Sequence, residues 1–250
     1  MKAHILTADG PKEVPLFQEP NTNLWCRKGT EDASMVRQVE GEYPYAKLKD
    51  HVVLDLGAHI GGFTAMALKH GAKKVISVEA SKFTFDVLKK NIPEGATLIH
   101  AAVSSEPEVT LTGVTDGKQT GGISAHVSYR KGKPAVETVK GITLQSLITE
   151  HDPTFIKLDI EGAEYGCFPC DLSGVDEMCG ELHTSSKVMR LAAFDLLKYF
   201  TNEKFFINHM KGNDHGFRLM QIKFHISGGN TAGDKNRFLP GRAQARRDTR

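Results

Sequence analysis

Apolar residues fall into short blocks along this chain, and the spacing within and between the blocks predicts its elements. Val52, Val53, Leu54 and Leu56 form a run too short for a helix, of the kind a strand buried on both faces needs. Residues 74–79, 97–103, 154–159 and 177–183 read the same way. Between these runs the pattern turns helical, near 61–70, over 142–150 and over 188–200. A further helix starts from Ser81 as its cap and runs to about Asn91, with Pro93 just beyond its end. This alternation predicts an α/β fold, a parallel sheet with helices on both faces. Residues 204–209 and 217–225 read as a last, antiparallel pair at the sheet edge.

Three segments break the rhythm. Residues 1–50 are mixed and rich in turns, with a helical stretch at 29–39 that Thr30 or Asp32 could cap. They are expected to cap the sheet or cover the site on its substrate side. Residues 104–141 carry short β-prone pieces at 109–112, 123–129 and 135–139, read as an antiparallel insertion beside the site. The polar stretch 228–250 ends in Arg-Ala-Gln-Ala-Arg-Arg-Asp-Thr-Arg and reads as a disordered basic tail, a solvated terminus rather than a phosphate-binding arm. The core domain is thus expected over 51–227.

Composition adds boundaries. With 250 residues, 40% hydrophobic and 25% charged, the chain is large enough for one sizeable core. A net charge of +2 makes no case for a nucleic-acid partner. No apolar run approaches the roughly 20 residues of a membrane span, and the N-terminus turns polar too soon for a secretory signal. The 4 cysteines read as reduced thiols in a cytoplasmic protein.

The candidate chemistry lies at strand ends. After Val52–Leu56 comes Asp55-x-Gly57-x-x-x-Gly61, a glycine turn where an open α/β sheet binds nucleotide-like ligands. It departs from G-x-G-x-x-G: an acid precedes the first glycine and residue 59 is His. A carboxylate is poorly placed beside a pyrophosphate but well placed near a sulfonium or an amine. Glu79 ends the next strand, about 20 residues past the turn, where an acid binds ribose hydroxyls. Lys157-Leu-Asp-Ile-Glu-Gly-Ala-Glu164 places Asp159, Glu161 and Glu164 at the end of the fourth core strand, with Asp159 on the same sheet edge as Asp55. The alternative for Glu161 and Glu164 is that they offset a helix dipole.

These three segments in this order resemble the FkbM family of S-adenosylmethionine-dependent methyltransferases over roughly residues 20–210. The resemblance implies a Rossmann-like methyltransferase fold, a mostly parallel seven-stranded sheet with an antiparallel last strand. It implies O-methylation of a small molecule or sugar. It also implies that Asp55, Gly57, Ala58, His59 and Gly61 line the methionine end of the cofactor. Glu79, with Ala80 and Ser81 beside it, would hold the ribose, Ala102 and Val103 would approach the adenine, and Asp159 would face the methionine amine or the reacting centre.

A hydroxyl acceptor must lose a proton, so a base belongs near the methyl. Asp159, Glu161, Glu181 and His183 are the candidates; Glu181 and His183 alternate on one strand and point to one side. A turn-capping role is the alternative for His183. Cys167, Cys170, Cys179 and His183 could form a zinc site, and magnesium shared by Asp159, Glu181 and a diol substrate is a further option. Buried thiols are the default, and no residue is assigned as a metal ligand. An RNA or protein methyltransferase, hinted at by the tail and Arg130-Lys-Gly-Lys133, is the second reading, and an NAD-linked oxidoreductase the third.

Overall fold

The computed structural model describes residues 1–7, 9–43, 47–113, 118, 123–124, 135–184, 187–203, 205–214 and 219–228. Residues 229–250, Arg130–Lys133 and most of the glycine-rich 113–122 loop lie outside them, with the readings that fall there.

The N-terminal segment is more regular than its turn-rich sequence suggests. Strands β1 (Lys2–Thr7), β2 (Gly10–Gln18) and β3 (Trp25–Arg27) form an antiparallel sheet in the order β1-β2-β3. Pro11 and Pro15 inside β2 hide it from sequence reading, because proline argues against a paired strand. Pro15 contributes through its carbonyl instead, which accepts from the Lys28 N–H at 2.9 Å. Helix α1 (Asp32–Glu42) follows, starting later than predicted. Neither Thr30 nor Asp32 is its N-cap: Glu31 holds that position without a side-chain cap bond, and the Asp32 carboxylate is taken by Arg27.

The core then alternates as predicted. It runs β4 (Val52–Leu56), α2 (Gly62–Lys69), β5 (Lys74–Glu79), α3 (Lys82–Asn91) and β6 (Ala96–His100). The apolar run 97–103 is not one strand. After His100 the chain leaves the main sheet, and β7 (Ala102–Val103) joins a second sheet with β8 (Glu108–Gly113), β9 (Ile123–Ser124) and β10 (Ala135–Ile142), ordered β7-β10-β8-β9. Hydropathy cannot report the switch, because the apolar run continues through it: β6 is half-buried at the edge of the main sheet, and Ala102 and Val103 are buried in the second. The β8–β10 pairing is antiparallel, as expected of the insertion, whereas β7–β10 is parallel.

The rest of the core is α4 (Leu144–His151), β11 (Phe155–Leu158), a 3-10 turn over Glu164–Cys167, β12 (Glu177–His183), α5 (Lys187–Asn202), β13 (Phe205–Asp214) and β14 (Leu219–Gly228). The main sheet has the order β13-β14-β12-β11-β4-β5-β6. β6, β5, β4, β11 and β12 pair in parallel, while β14 runs antiparallel to both β12 and β13.

Strand alternation explains why these runs are apolar throughout. Leu54, Leu56, Ile156, Leu158, Met178 and Leu182 face Leu144 and Leu147 of α4 and Ala193, Leu196 and Leu197 of α5. Val53, Val75, Phe155 and Cys179 face the other way, onto Phe63, Met66 and Ala67 of α2 and Tyr43 at the end of α1. Both faces are covered, so polar residues among these strands need an explanation.

Candidate active site

β4 lies between β5 and β11, and the strand order reverses direction in sequence between β4 and β11. Such a switch point opens a crevice at the carboxyl ends of the strands. A cavity occupies it, about 970 Å³ with its open mouth included, walled by the turn after β4, the ends of β5 and β11, Ala101–Val103 and the inner face of α1.

Of the residues expected to bind the cofactor, Gly57, Ala58, His59, Glu79, Ala80, Ala102, Val103 and Asp159 line this cavity. Asp55, Gly61 and Ser81 do not. Gly61 has φ +97°, and a Cβ there would lie 2.9 Å from Leu88 Cδ1, so its missing side chain lets α3 pack against the turn rather than a ligand approach it. Gly57 also serves the protein itself: a Cβ on it would lie 1.8 Å from the Asp159 carbonyl oxygen. The two strand ends meet there, backbone on backbone.

Glu79 clasps the turn. Its Oε2 accepts from the His59 N–H at 3.0 Å and its Oε1 from the Ser81 N–H at 2.9 Å. Burial raises its carboxyl above the usual range against the pull of these two donors. His59 takes a left-handed backbone, φ 52°, a conformation in which His is enriched. Burial lowers its pKa to about 4, although Asp32 with Oδ1 3.6 Å from Nε2 opposes that. The ring is therefore neutral at physiological pH.

Asp55 is fully buried beneath the cavity. Its Oδ2 accepts from Thr64 Oγ1 at 2.8 Å, and its Oδ1 lies 3.5 Å from Lys157 Nζ. The positive charge opposite Asp55 is thus an internal lysine. Lys157 Nζ also donates to the Gly57 carbonyl at 2.8 Å and lies 3.8 Å from Asp159 Oδ2. Burial acts against the Lys157 ammonium, but Asp55 and then Asp159 outweigh it and raise its pKa. At Asp55, burial outweighs Lys157 and raises the carboxyl. Sequence reading gave Lys157 no role, yet the signal was present: a lysine inside Phe-Ile-Lys-Leu, on a strand covered on both faces, needs a buried partner.

The β11–β12 end is richer in charge. Asp159 and Glu161 line the cavity and are partly exposed. Tyr43 O–H donates to Asp159 Oδ2 at 3.4 Å; burial and then Asp159 raise its phenol well above the ordinary value, so it stays a donor. Sequence reading gave Tyr43 no role at the site. Glu164 is fully buried; its Oε1 accepts from the Gly162 N–H at 3.0 Å and lies 2.8 Å from His183 Nδ1. His183 Nε2 lies 3.5 Å from Glu161 Oε2. Burial works against a charged imidazole, but Glu164 and Glu161 outweigh it and raise the His183 pKa to about 10. His183 and Glu181 are both buried and do not line the cavity. An imidazole already protonated at neutral pH, and set behind two carboxylates, is not the base that its strand position suggested.

The cysteines do not assemble. Cys167 packs on the α4–α5 face of the sheet and Cys179 on the α2 face, so they and His183 cannot meet on one zinc ion. Among the described residues one group holds metal-ligand geometry, Asp159, Glu161 and His183, and Glu181 is not in it. Among the same residues, no helix is long and apolar enough to cross a membrane.

No curated protein matches the chain. In overall path it is similar to a ribosomal protein L11 methylase from Lactobacillus delbrueckii subsp. bulgaricus, with 15% identity and TM-score 0.44 over 78% of this chain and 79% of that one. It is also similar to a protein of Thermoplasma acidophilum, with 12% identity and TM-score 0.40 over 80% of this chain and 88% of that one. A protein in the NADB-Rossmann superfamily from Streptococcus agalactiae is similar too, with 12% identity and TM-score 0.44 over 77% and 68%. At these levels the likenesses carry neither substrate nor cofactor to this chain. The sequence match is decisive: residues 55–219, from the acid before the glycine turn to the start of the last strand, match the methyltransferase FkbM domain, and the chain belongs to that family of methyltransferases.

Proposed function

We propose that this methyltransferase uses S-adenosylmethionine and methylates a hydroxyl group on a small molecule or sugar. The observation that carries the reading is the contrast between the two ends of one cavity. At the β4–β5 end, Glu79 is fixed by two backbone N–H groups. Each of its oxygens keeps a further lone pair, so it can still accept from a ribose diol. Ala102 and Val103 provide an apolar wall there for the adenine. At the β11–β12 end, Asp159 and Glu161 present negative charge, which suits an amine and a sulfonium. Ala58 and His59 lie between. Asp55, Gly61 and Ser81 act behind these residues, Asp55 by anchoring Lys157.

The cofactor would supply a methyl group already activated on a sulfonium. What remains for the chain is to orient the acceptor, exclude water and take a proton. Asp159 and Glu161 are the carboxylates that reach the cavity at its β11–β12 end, and one of their oxygens accepts the hydroxyl proton. Tyr43 holds Asp159 in place from the α1 side.

S-adenosylmethionine or S-adenosylhomocysteine should raise the melting temperature, and NAD should not. An unchanged melting temperature at saturating cofactor would sink the cofactor assignment. Labelled-methyl transfer into an extract, followed by mass spectrometry, names the acceptor class. A product labelled on nitrogen, or on RNA or protein, would replace the hydroxyl reading.

A further inference from the structure

We propose that Asp159, Glu161 and His183 bind a first-row divalent cation, manganese, iron(II) or zinc, whose remaining coordination positions take the acceptor oxygen. Only this last clause rests on the methyl-transfer reading; the cation site stands on geometry alone. One ligand atom from each of the three residues lies within 4.8 Å of the other two. Bonds of about 2.0–2.2 Å put two donors on one ion at most about 4.4 Å apart. A shift of a few tenths of an ångström closes the set.

The cluster is more than a patch of acids. His183 is 2% exposed, at the end of β12, and its two nitrogens are used differently. Nδ1 is fixed by the buried Glu164 at 2.8 Å, and Nε2, 3.5 Å from Glu161, is the nitrogen the cation takes, its proton leaving to solvent as the metal binds. Histidines that bind metals are held in this manner, with a carboxylate behind the ring setting its orientation and its basicity. Three carboxylates around one imidazole draw positive charge to this point. Lys157 and Tyr43 also face Asp159.

The donor types select the ion. One imidazole with two carboxylates suits manganese, iron or zinc, whereas magnesium prefers oxygen ligands and retained water. Access selects the role. Asp159 and Glu161 line the cavity while His183 sits behind them, so the open positions face the space the acceptor must enter. A hydroxyl bound there ionises more readily, its proton passing to the carboxylate oxygen not on the ion.

Cobalt(II) is the probe. The full chain, stripped with chelator, is titrated with cobalt and followed by visible absorption, with zinc, manganese and magnesium as competitors. We expect one ion per chain, displaced by zinc and manganese ahead of magnesium. His183→Ala should abolish binding, and Glu161→Gln should weaken it at least about tenfold. Glu164→Gln, at a positioning residue, should weaken it about 10- to 100-fold. If His183→Ala does not fold, Glu161→Gln at the cavity rim decides. Absence of a stoichiometric ion, or unchanged affinity in Glu161→Gln, overturns the site. Cobalt bound with no response of the melting temperature to S-adenosylmethionine upholds the site and removes the methyl-transfer reading. Transfer at an unchanged rate after chelation removes the acceptor's coordination.

Discussion

The two ends of the cavity are held by different means. At the β4–β5 end the backbone does the holding: the N–H groups of Gly57 and Ala58 both donate to the Val78 carbonyl at 3.0 Å, and those of His59 and Ser81 fix Glu79. At the β11–β12 end side chains hold one another, through Lys157, Tyr43, Glu161, Glu164 and His183. Backbone contacts do not depend on which side chains the turn carries, so the first end suits a ligand that does not change. Side-chain contacts can be retuned by single substitutions, so the second suits an acceptor that differs between enzymes. The two histidines show the same split. Burial keeps His59 neutral, whereas carboxylates keep His183 charged.

Lys157 joins the two ends, and cutting it should have the largest effect. Its ammonium reaches the Gly57 carbonyl on one side and Asp55 and Asp159 on the other. Lys157→Met leaves Asp55 buried without its counter-charge, which costs about 3–5 kcal/mol. Chemical denaturation should show that loss, and Lys157→Met with Asp55→Leu should recover most of it. A single variant as stable as the parent would mean that the tie is incidental.

The next test separates the ends by function. Glu79→Ala removes charged acceptors from the β4–β5 end, so cofactor affinity should fall about 10- to 100-fold. Asp159→Asn should lower turnover about 100-fold or more, with a smaller change in cofactor affinity. Calorimetry and saturating-cofactor kinetics distinguish them. If Asp159→Asn lost affinity as much as Glu79→Ala, the division of labour would be wrong.

The histidines predict opposite limbs of a stability curve, in protein stripped of divalent ions. His183 has a folded pKa of about 10, above its value of 6.5. Folding is favoured while both states are protonated, and that contribution fades as pH rises from about 6.5 toward 10. His59 has a folded pKa of about 4, below 6.5, so the unfolded state binds the extra proton and stability falls as pH drops through that interval. His183→Gln should flatten the alkaline limb and His59→Asn the acid limb. One variant flattening both limbs would show that the two ends are electrostatically one.

What could be read beforehand follows the same division. The β4, β5 and β12 boundaries match their apolar runs, because strands covered on both faces leave a hydropathy signal. The cavity residues of the glycine turn followed from local order along the chain. The errors concern contacts between distant segments. Gly61 meets α3, Asp55 meets Lys157 across two strands, and the 97–103 run serves two sheets. Tyr43 and the α1 wall lie before residue 55, outside the family match, and none of their residues was given a site role. The charge state of His183 could not be read from its strand position, since it depends on Glu164, 19 residues earlier.

The smallest expected effect belongs to Tyr43→Phe. Its bond to Asp159 is long, 3.4 Å, and the ring keeps its edge contact with Phe63 at 5.3 Å between centroids. Removing the hydroxyl therefore leaves the packing intact and should cost stability no more than about 1 kcal/mol. Asp159 would retain Lys157 but lose the donor that fixes it from the α1 side. Turnover should fall a few-fold, with a larger rise in the acceptor KM than in the cofactor KM. Such an asymmetry would place α1 on the acceptor side of the comparison. An equal rise in both constants would instead make Tyr43 part of the wall common to the two ends, and would move the boundary between them toward β11.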